Sequence, residues 1–270
     1  MQAPRFDAVD AFDPAVCAGF LDLAHSLPGV QRWKRLGHQL LQVEPGQAVL
    51  DIGCGTGTDA CALAAMVGPN GRVVGIDLSE ALVALAEQRA KGLALPVTFR
   101  QADVHAMPFP DGSFARTRID RVLHFLPDPR RALAEAARVT APNGRMLVTE
   151  PDWGTLAIDG GDPAVTARIL SVQPGVAADA CIGRRLPVLL EGAGLTVEAW
   201  EKTALSLGDF RHAATLFGLE GVAARAVAAG AISAETGVGW LRSLQEAADR
   251  GGLRCRLGGV IACARKPALA

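Results

Sequence analysis

Residues 48–59 of this chain read Ala-Val-Leu-Asp-Ile-Gly-Cys-Gly-Thr-Gly-Thr-Asp. Gly53, Gly55 and Gly57 stand where only a residue without Cβ lets a backbone turn tightly and press against a ligand. Thr56 lies between the last two, and Asp51 stands two residues ahead of the first. Further on, Asp77 closes a second apolar run, Arg72–Ile76, where a carboxylate can accept both hydroxyls of a ribose. The glycine spacing is Gly-x-Gly-x-Gly, not the Gly-x-Gly-x-x-Gly that seats a pyrophosphate on a helix end. A carboxylate at Asp51 disfavours a nearby pyrophosphate and suits a cationic ligand end such as an amino group. These residues describe a nucleoside cradle.

The elements that must position them alternate in type. Ala48–Ile52 is short, apolar and rich in β formers, so it reads as a buried parallel strand. Thr58 or Asp59 caps a helix over Ala60–Val67, which Gly68-Pro69-Asn70-Gly71 ends. Ser79-Glu80 starts another through about Arg89, with Ala81, Leu82, Leu85 and Ala86 as its inner stripe. Pro96 opens a third strand, Val97–Gln101, followed by Ala102-Asp103-Val104. Residues 114–122 form a fourth strand, weakened by Arg116, Arg118 and Arg121. Asp128-Pro129 caps a helix ending near Val139, and further strands are expected at Arg145–Glu150, Leu195–Glu201 and Leu257–Arg265.

The stretch VLDIGCGTG resembles the first motif of class I S-adenosylmethionine-dependent methyltransferases, in the branch related to the ubiquinone/menaquinone C-methyltransferases and many small-molecule methyltransferases. The resemblance implies an α/β fold: a doubly wound, seven-stranded, mostly parallel Rossmann-like sheet. It implies S-adenosylmethionine as cofactor, S-adenosylhomocysteine as product and no metal. Gly53, Gly55, Thr56, Gly57, Asp51, Asp77 and Leu78 would hold the cofactor. Asp103, between Ala102 and Val104, falls where the family accepts from the adenine amino group, and an N-cap or turn aspartate is the alternative. Asp120-Arg121-Val122-Leu123-His124-Phe125-Leu126-Pro127-Asp128-Pro129 resembles the family's acid-Arg-x-Leu-x-His-x-x-Asp-Pro run, so Asp120 and Arg121 would close the pocket. Here the family's histidine position is Phe125, and His124 stands one residue earlier. One residue of helical turn is about 100° of rotation, so His124 can point elsewhere.

The chain reads as one domain: a helical cap over 1–43, a core over 44–201 and 256–267, and a helical insertion over 202–255. In the cap, Pro14 begins a helix through Leu27, Pro28-Gly29 breaks it, and a second helix runs from about Val30 to Leu41. Arg32 and Arg35 share a helix face, either as a solvated stripe or, for Arg35, as a fork onto the cofactor carboxylate. Residues 155–186 read as loose, with breakers at Gly160-Gly161 and Pro174-Gly175. The insertion, with helices from Phe210, Val222 and Ser233, lies above the carboxyl edge of the sheet, as a lid over substrate, extra core or a dimer face.

Composition narrows the partners. Half the 270 residues are apolar and the net charge is −1, which gives no electrostatic footprint for nucleic acid. No tyrosine is present, so neither a tyrosine base nor a tyrosine stacking platform exists. The six cysteines form no Cys-x-x-Cys pair and read as free thiols of a reducing cytoplasm. No apolar run reaches membrane-spanning length, and the acidic start is unlike an export signal. The expected partner is a small molecule, a secondary metabolite or quinone-like aromatic, bound by a cytoplasmic monomer or homodimer.

Methyl transfer by in-line displacement needs little acid or base for an ionised acceptor, and a base for a phenol or ring carbon. His124 is the candidate base, with a core or cap histidine as the alternative; His105, Glu150, Asp152 and His212 stand behind it. Trp153, in Glu150-Pro151-Asp152-Trp153-Gly154, can stack on a flat substrate or fill the lid. Two rival functions remain: a nicotinamide-dependent dehydrogenase, and a cofactor-binding accessory protein or cyclase using the sulfonium charge.

Overall fold

The computed structural model describes residues 6, 8–172 and 178–268; the expected breaker Pro174-Gly175 lies outside them. Seven strands form one sheet in the order β3-β2-β1-β4-β5-β7-β6. They are β1 (Ala48–Ile52), β2 (Arg72–Asp77), β3 (Val97–Gln101), β4 (Phe114–Asp120), β5 (Thr140–Asp159), β6 (Thr196–Leu207) and β7 (Arg254–Arg265). The first five are parallel, and β7 runs antiparallel between β5 and β6. Helices α3 (Thr58–Val67), α4 (Glu80–Ala90), α5 (Pro129–Val139) and α7 (Leu186–Gly192) supply the crossovers. This is the doubly wound, mostly parallel sheet expected, and the chain order reverses between β1 and β4, where such folds bind ligands at the strand carboxyl ends.

The parallel strands bury both faces. Leu50, Ile52, Ile76, Ile119 and Val148 pack with α5 and α7 on one side; Val49, Val73, Leu63 and Ala64 pack α3 on the other. Helix α3 begins at Thr58, directly after Gly57 in the left-handed conformation, with no side-chain cap. The expected capping role of Thr58 or Asp59 is therefore corrected: Asp59 sits in the first turn and its carboxylate is free to meet cations.

The last three strands are longer than expected. Leu205, Leu207, Cys255 and Leu257 carry β6 and β7 past the sheet edge, and β5 continues to Asp159 beside them. Part of the stretch read as loose is thus strand, and α6 (Pro163–Leu170), capped by Asp162, follows it. The β5–β7 ladder breaks register between Asp152 and Ala157, around Gly154, and resumes at Ala157–Asp159, where pairing with β7 holds the strand. Helices α8 (Phe210–Leu216), α9 (Leu219–Ala228) and α10 (Ala234–Asp249) fill the span between β6 and β7. They bury Phe217, Val222, Trp240 and Leu244 with Ile158 and Ile169, and with Ala24, Leu27 and Val30 of α1 (Pro14–Ser26) and α2 (Pro28–Leu41). Each large side chain so buried contributes about 1.5–3 kcal/mol, so cap and insertion share one apolar core.

Asp10 ties the N-terminal segment to the sheet. Its carboxylate accepts from the Ser79 hydroxyl at 2.5 Å and the Glu80 amide at 2.9 Å, at the positive end of α4. Arg89 forks onto Asp22 of α1 at 2.6 and 2.8 Å. Among the described residues no helix is long and apolar enough to cross a membrane.

Candidate active site

A cavity of about 480 Å³ runs from the glycine loop to the underside of the insertion. Gly53, Gly55, Thr56, Asp77, Leu78, Ala102, Asp103, Val104, Asp120 and Arg121, named above as cofactor residues, all line it. Gly57 does not; it turns the chain into α3, and a Cβ there would meet Phe99 and Ala86 at 2.7 and 2.8 Å. At Gly53, φ is +70° and a Cβ would lie 2.3 Å from Val122 Cγ2. Gly53→Ala is therefore expected to displace the turn after β4, lowering affinity for S-adenosylhomocysteine at least tenfold by calorimetry.

Asp77 closes β2 beside the loop. One carboxylate oxygen accepts from the Gly55 amide at 2.9 Å and the other from Ser79 at 3.0 Å. Burial pushes its pKa up, opposed by these amides. The acid thus holds the loop as well as facing the cavity. Leu78 is exposed beside it. Asp103 accepts from the His105 amide and ring Nδ1, both at 2.8 Å, while Nε2 of His105 meets the Asp128 carbonyl at 3.1 Å. His105 therefore steadies Asp103, with both ring nitrogens engaged.

Two expected cofactor contacts are corrected. Arg35 is exposed on the outer face of α2 and does not line the cavity, and Arg32 is exposed with it. Lys34, one residue earlier and so turned about 100° around the helix, does line it. Asp51 also fails to reach the cavity. The register sets it opposite Arg118 on β4, and its carboxylate is fully buried against that guanidinium at 2.7 Å.

Arg118 is a hub. Besides Asp51 it meets Asp59 at 2.8 Å and Asp120 at 2.5 Å, and Lys34 meets Asp59 at 2.9 Å. Arg121 adds a contact to Asp120 at 3.0 Å. Burial pushes the Asp51 carboxyl up to about 6, against the pull of Arg118. Burial also raises Asp59 and Asp120, but the adjacent cations outweigh it and hold both below the usual carboxylate range. Burial lowers Lys34 despite Asp59. The wall therefore offers both signs of charge, through Asp120, Lys34 and Arg121, to a zwitterionic ligand end. Lys34, Asp59 and Arg118 were not singled out as site residues; an arginine inside a strand was the one available signal.

His124 lies in a short 3-10 turn, Leu123–Phe125, that follows Arg121, whose φ of +60° bends the chain away from β4. The imidazole is buried, lines the cavity and sets Nδ1 2.5 Å from Oε2 of Glu150 at the parallel end of β5. The other Glu150 oxygen accepts from the Val122 and Leu123 amides at 3.0 and 2.7 Å. Phe125 packs on the imidazole, with ring centroids 3.9 Å apart. Of the remaining candidates, Asp152 pairs with Arg184 at 2.6 Å outside the cavity, and His212 lies in the first turn of α8, also away from it. Trp153 lines the far end with Trp33, Leu205, Phe217 and Leu257.

A family model for a methyltransferase domain matches residues 43–180. The chain belongs to the class I S-adenosylmethionine-dependent methyltransferase family. A 37.1 kDa protein of transposon TN4556 from Streptomyces fradiae, described as uncharacterized, is 38% identical over 226 residues, covering 83% of this chain and 65% of that one. Demethylmenaquinone methyltransferase of Bacillus cytotoxicus is 34% identical over 139 residues, covering 50% of this chain and 59% of that one. This chain thus spans less than two thirds of the length of either relative. Among solved structures, the [4+2]-cyclase SpnF matches with a TM-score of 0.62 at 23% identity, over 100% of this chain and 98% of that one. A methyltransferase from Aquifex aeolicus matches at 0.55 and 22%, over 71% and 93%. At these identities the two structures speak to the fold. Family membership implies S-adenosylmethionine as cofactor.

Proposed function

We infer that this methyltransferase moves the sulfonium methyl of S-adenosylmethionine onto a small apolar molecule held beneath the insertion. The observation that carries this reading is the continuity of one cavity from the Asp77 strand end, past His124, to an apolar chamber walled by Trp153, Leu205 and Phe217. Asp77 would accept from the ribose hydroxyls, with Leu78 beneath the adenine and Asp103 at its amino group. Asp120 would face the cofactor's ammonium, and Lys34 with Arg121 its carboxylate. When bound, the cofactor supplies an electrophilic methyl; the chain's part is to hold donor and acceptor in line, worth about 7–11 kcal/mol of the barrier.

The apolar far wall favours a flat hydrophobic acceptor, in keeping with the quinone-like class expected from the sequence. It offers no phosphate-binding basic groove, so a nucleic-acid acceptor is disfavoured. The cyclase SpnF shares the fold, but a histidine with its own carboxylate beside the transfer point favours methylation here.

Titration calorimetry with S-adenosylhomocysteine tests the cofactor half, with NAD as the control. Binding of the former and not the latter is expected. Asp77→Asn keeps one carbonyl acceptor but loses the charge, and is expected to weaken S-adenosylhomocysteine binding ten- to a hundredfold. Unchanged affinity in that variant would remove Asp77 from the cofactor site.

A further inference from the structure

Within the methyl-transfer reading above, we propose that Glu150 fixes His124 as the Nδ1–H tautomer, so that its Nε2 deprotonates a weakly acidic hydroxyl, phenolic or enolic, on the apolar acceptor. Glu150 is enclosed, and both of its oxygens face nitrogen: Oε1 the amides of Val122 and Leu123, Oε2 the imidazole Nδ1. With Oε1 taken up by two amide donors, Oε2 is left as the acceptor that faces the ring. The proton between them therefore belongs to Nδ1. Nε2 meets no partner among the described residues, and the side chain lines the cavity. A carboxylate behind an imidazole sets its orientation and stabilises the cation it becomes.

The surroundings choose the acceptor. The chamber beyond His124 is walled by Phe125, Trp153, Leu205, Phe217 and Leu257, none of which carries a carboxylate to pair with an ammonium group. A neutral hydroxyl enters such a chamber without losing a full charge's hydration, and there it needs a base. In the step, the oxygen–methyl bond forms as the sulfur–methyl bond breaks. The electron pair of the broken bond returns to sulfur, and the hydroxyl proton passes to Nε2. The products are the methyl ether, S-adenosylhomocysteine and an imidazolium paired with Glu150, which releases its proton to water.

Glu150→Gln separates this role from a structural one. Its carbonyl can still accept from Val122 and Leu123, while its amide group donates to Nδ1 and leaves the proton on Nε2. Nitrogen-15 spectra of histidine-labelled protein saturated with S-adenosylhomocysteine at pH 8 are expected to show a protonated Nδ1 in the wild type and a protonated Nε2 in the variant. A wild-type ring already protonated on Nε2 overturns the proposal. With labelled S-adenosylmethionine, 1-naphthol is expected to accept methyl in preference to 1-naphthylamine. Glu150→Gln should lower that turnover by ~10²–10⁴ with KM for the cofactor unchanged. Wild-type turnover should level off once the imidazole is neutral, whereas the variant's should keep climbing with pH as the naphthol ionises unaided. Glu150→Asp should restore part of the rate. Preference for the amine, or wild-type turnover in Glu150→Gln, overturns the proposal. Calorimetry with S-adenosylhomocysteine keeps the two readings apart: retained binding with either adverse result sinks only the hydroxyl assignment, whereas absent binding sinks methyl transfer itself.

Discussion

Replacing Arg118 with methionine is expected to cost about 3–5 kcal/mol of stability at pH 7, the typical result of removing one partner from a buried ion pair. For a chain of this length that lowers the melting temperature by about 10 °C in a calorimetric scan. The reason is the company left behind. Asp51, Asp59 and Asp120 all lie within 2.8 Å of the guanidinium, and Asp51 has one carboxylate oxygen with no hydrogen-bond partner among the described residues even when Arg118 is present. Without the cation, burial holds Asp51 further above its unfolded value while Lys34 and Arg121 stay beside Asp59 and Asp120, so at Asp51 the folded state holds its proton more tightly than the unfolded one. Stability conferred by a raised carboxyl is greatest at low pH and declines as pH rises through its folded value. The deficit of Arg118→Met should therefore shrink as pH falls from 7 towards 5. Asp51 behaves this way in the native protein, since burial has already moved it from 3.8 to about 6. A deficit independent of pH would show that the three acids do not share the guanidinium as described.

His124→Ala is expected to lower kcat by ~10²–10⁴ while leaving affinity for S-adenosylhomocysteine within about twofold of the wild type. The split follows from position. In the proposed reading the cofactor contacts come from the ends of β1 to β4 and from Lys34, whereas the His124 imidazole stands in the turn beyond β4 against Glu150. Single-turnover assays with saturating cofactor measure the chemical step directly. Full turnover would make the imidazole a packing residue, and a parallel loss of cofactor binding would make it part of the pocket's frame.

The glycine loop, Asp77 and the alternation of strand and helix were legible because they are local. A positive φ favours glycine, a strand followed by a helix needs a cap or a left-handed turn, and both leave their mark within a dozen residues. Family resemblance then carried Asp103, Asp120 and Arg121 to the cavity, where the structure has them. His124 was legible as a residue and not as a geometry. Its one-place shift is accommodated by the 3-10 turn and by Arg121 at φ +60°, which aim the ring at Glu150.

What local pattern could not reveal was pairing between distant segments. Arg118 read as a flaw in a strand because its three carboxylates come from β1, from the first turn of α3 and from its own strand end. Asp51 read as a ligand contact because nothing in its neighbourhood announces that the β1–β4 register puts a guanidinium across from it. Lys34 rather than Arg35 reaches the cavity because the packing of α2 on the sheet fixes which face turns inward, and an amphipathic pattern locates that face only to within a residue. The long ends of β5, β6 and β7 exist because they pair with one another, a gain invisible until the strands are adjacent. The sequence by itself determined the glycine loop and the strand-end acid Asp77, since backbone conformation and strand-end chemistry are written residue by residue. Only the tertiary structure decided which charges cancel and which nitrogen of His124 meets Glu150, because burial and pairing are properties of neighbours that the chain brings together by folding.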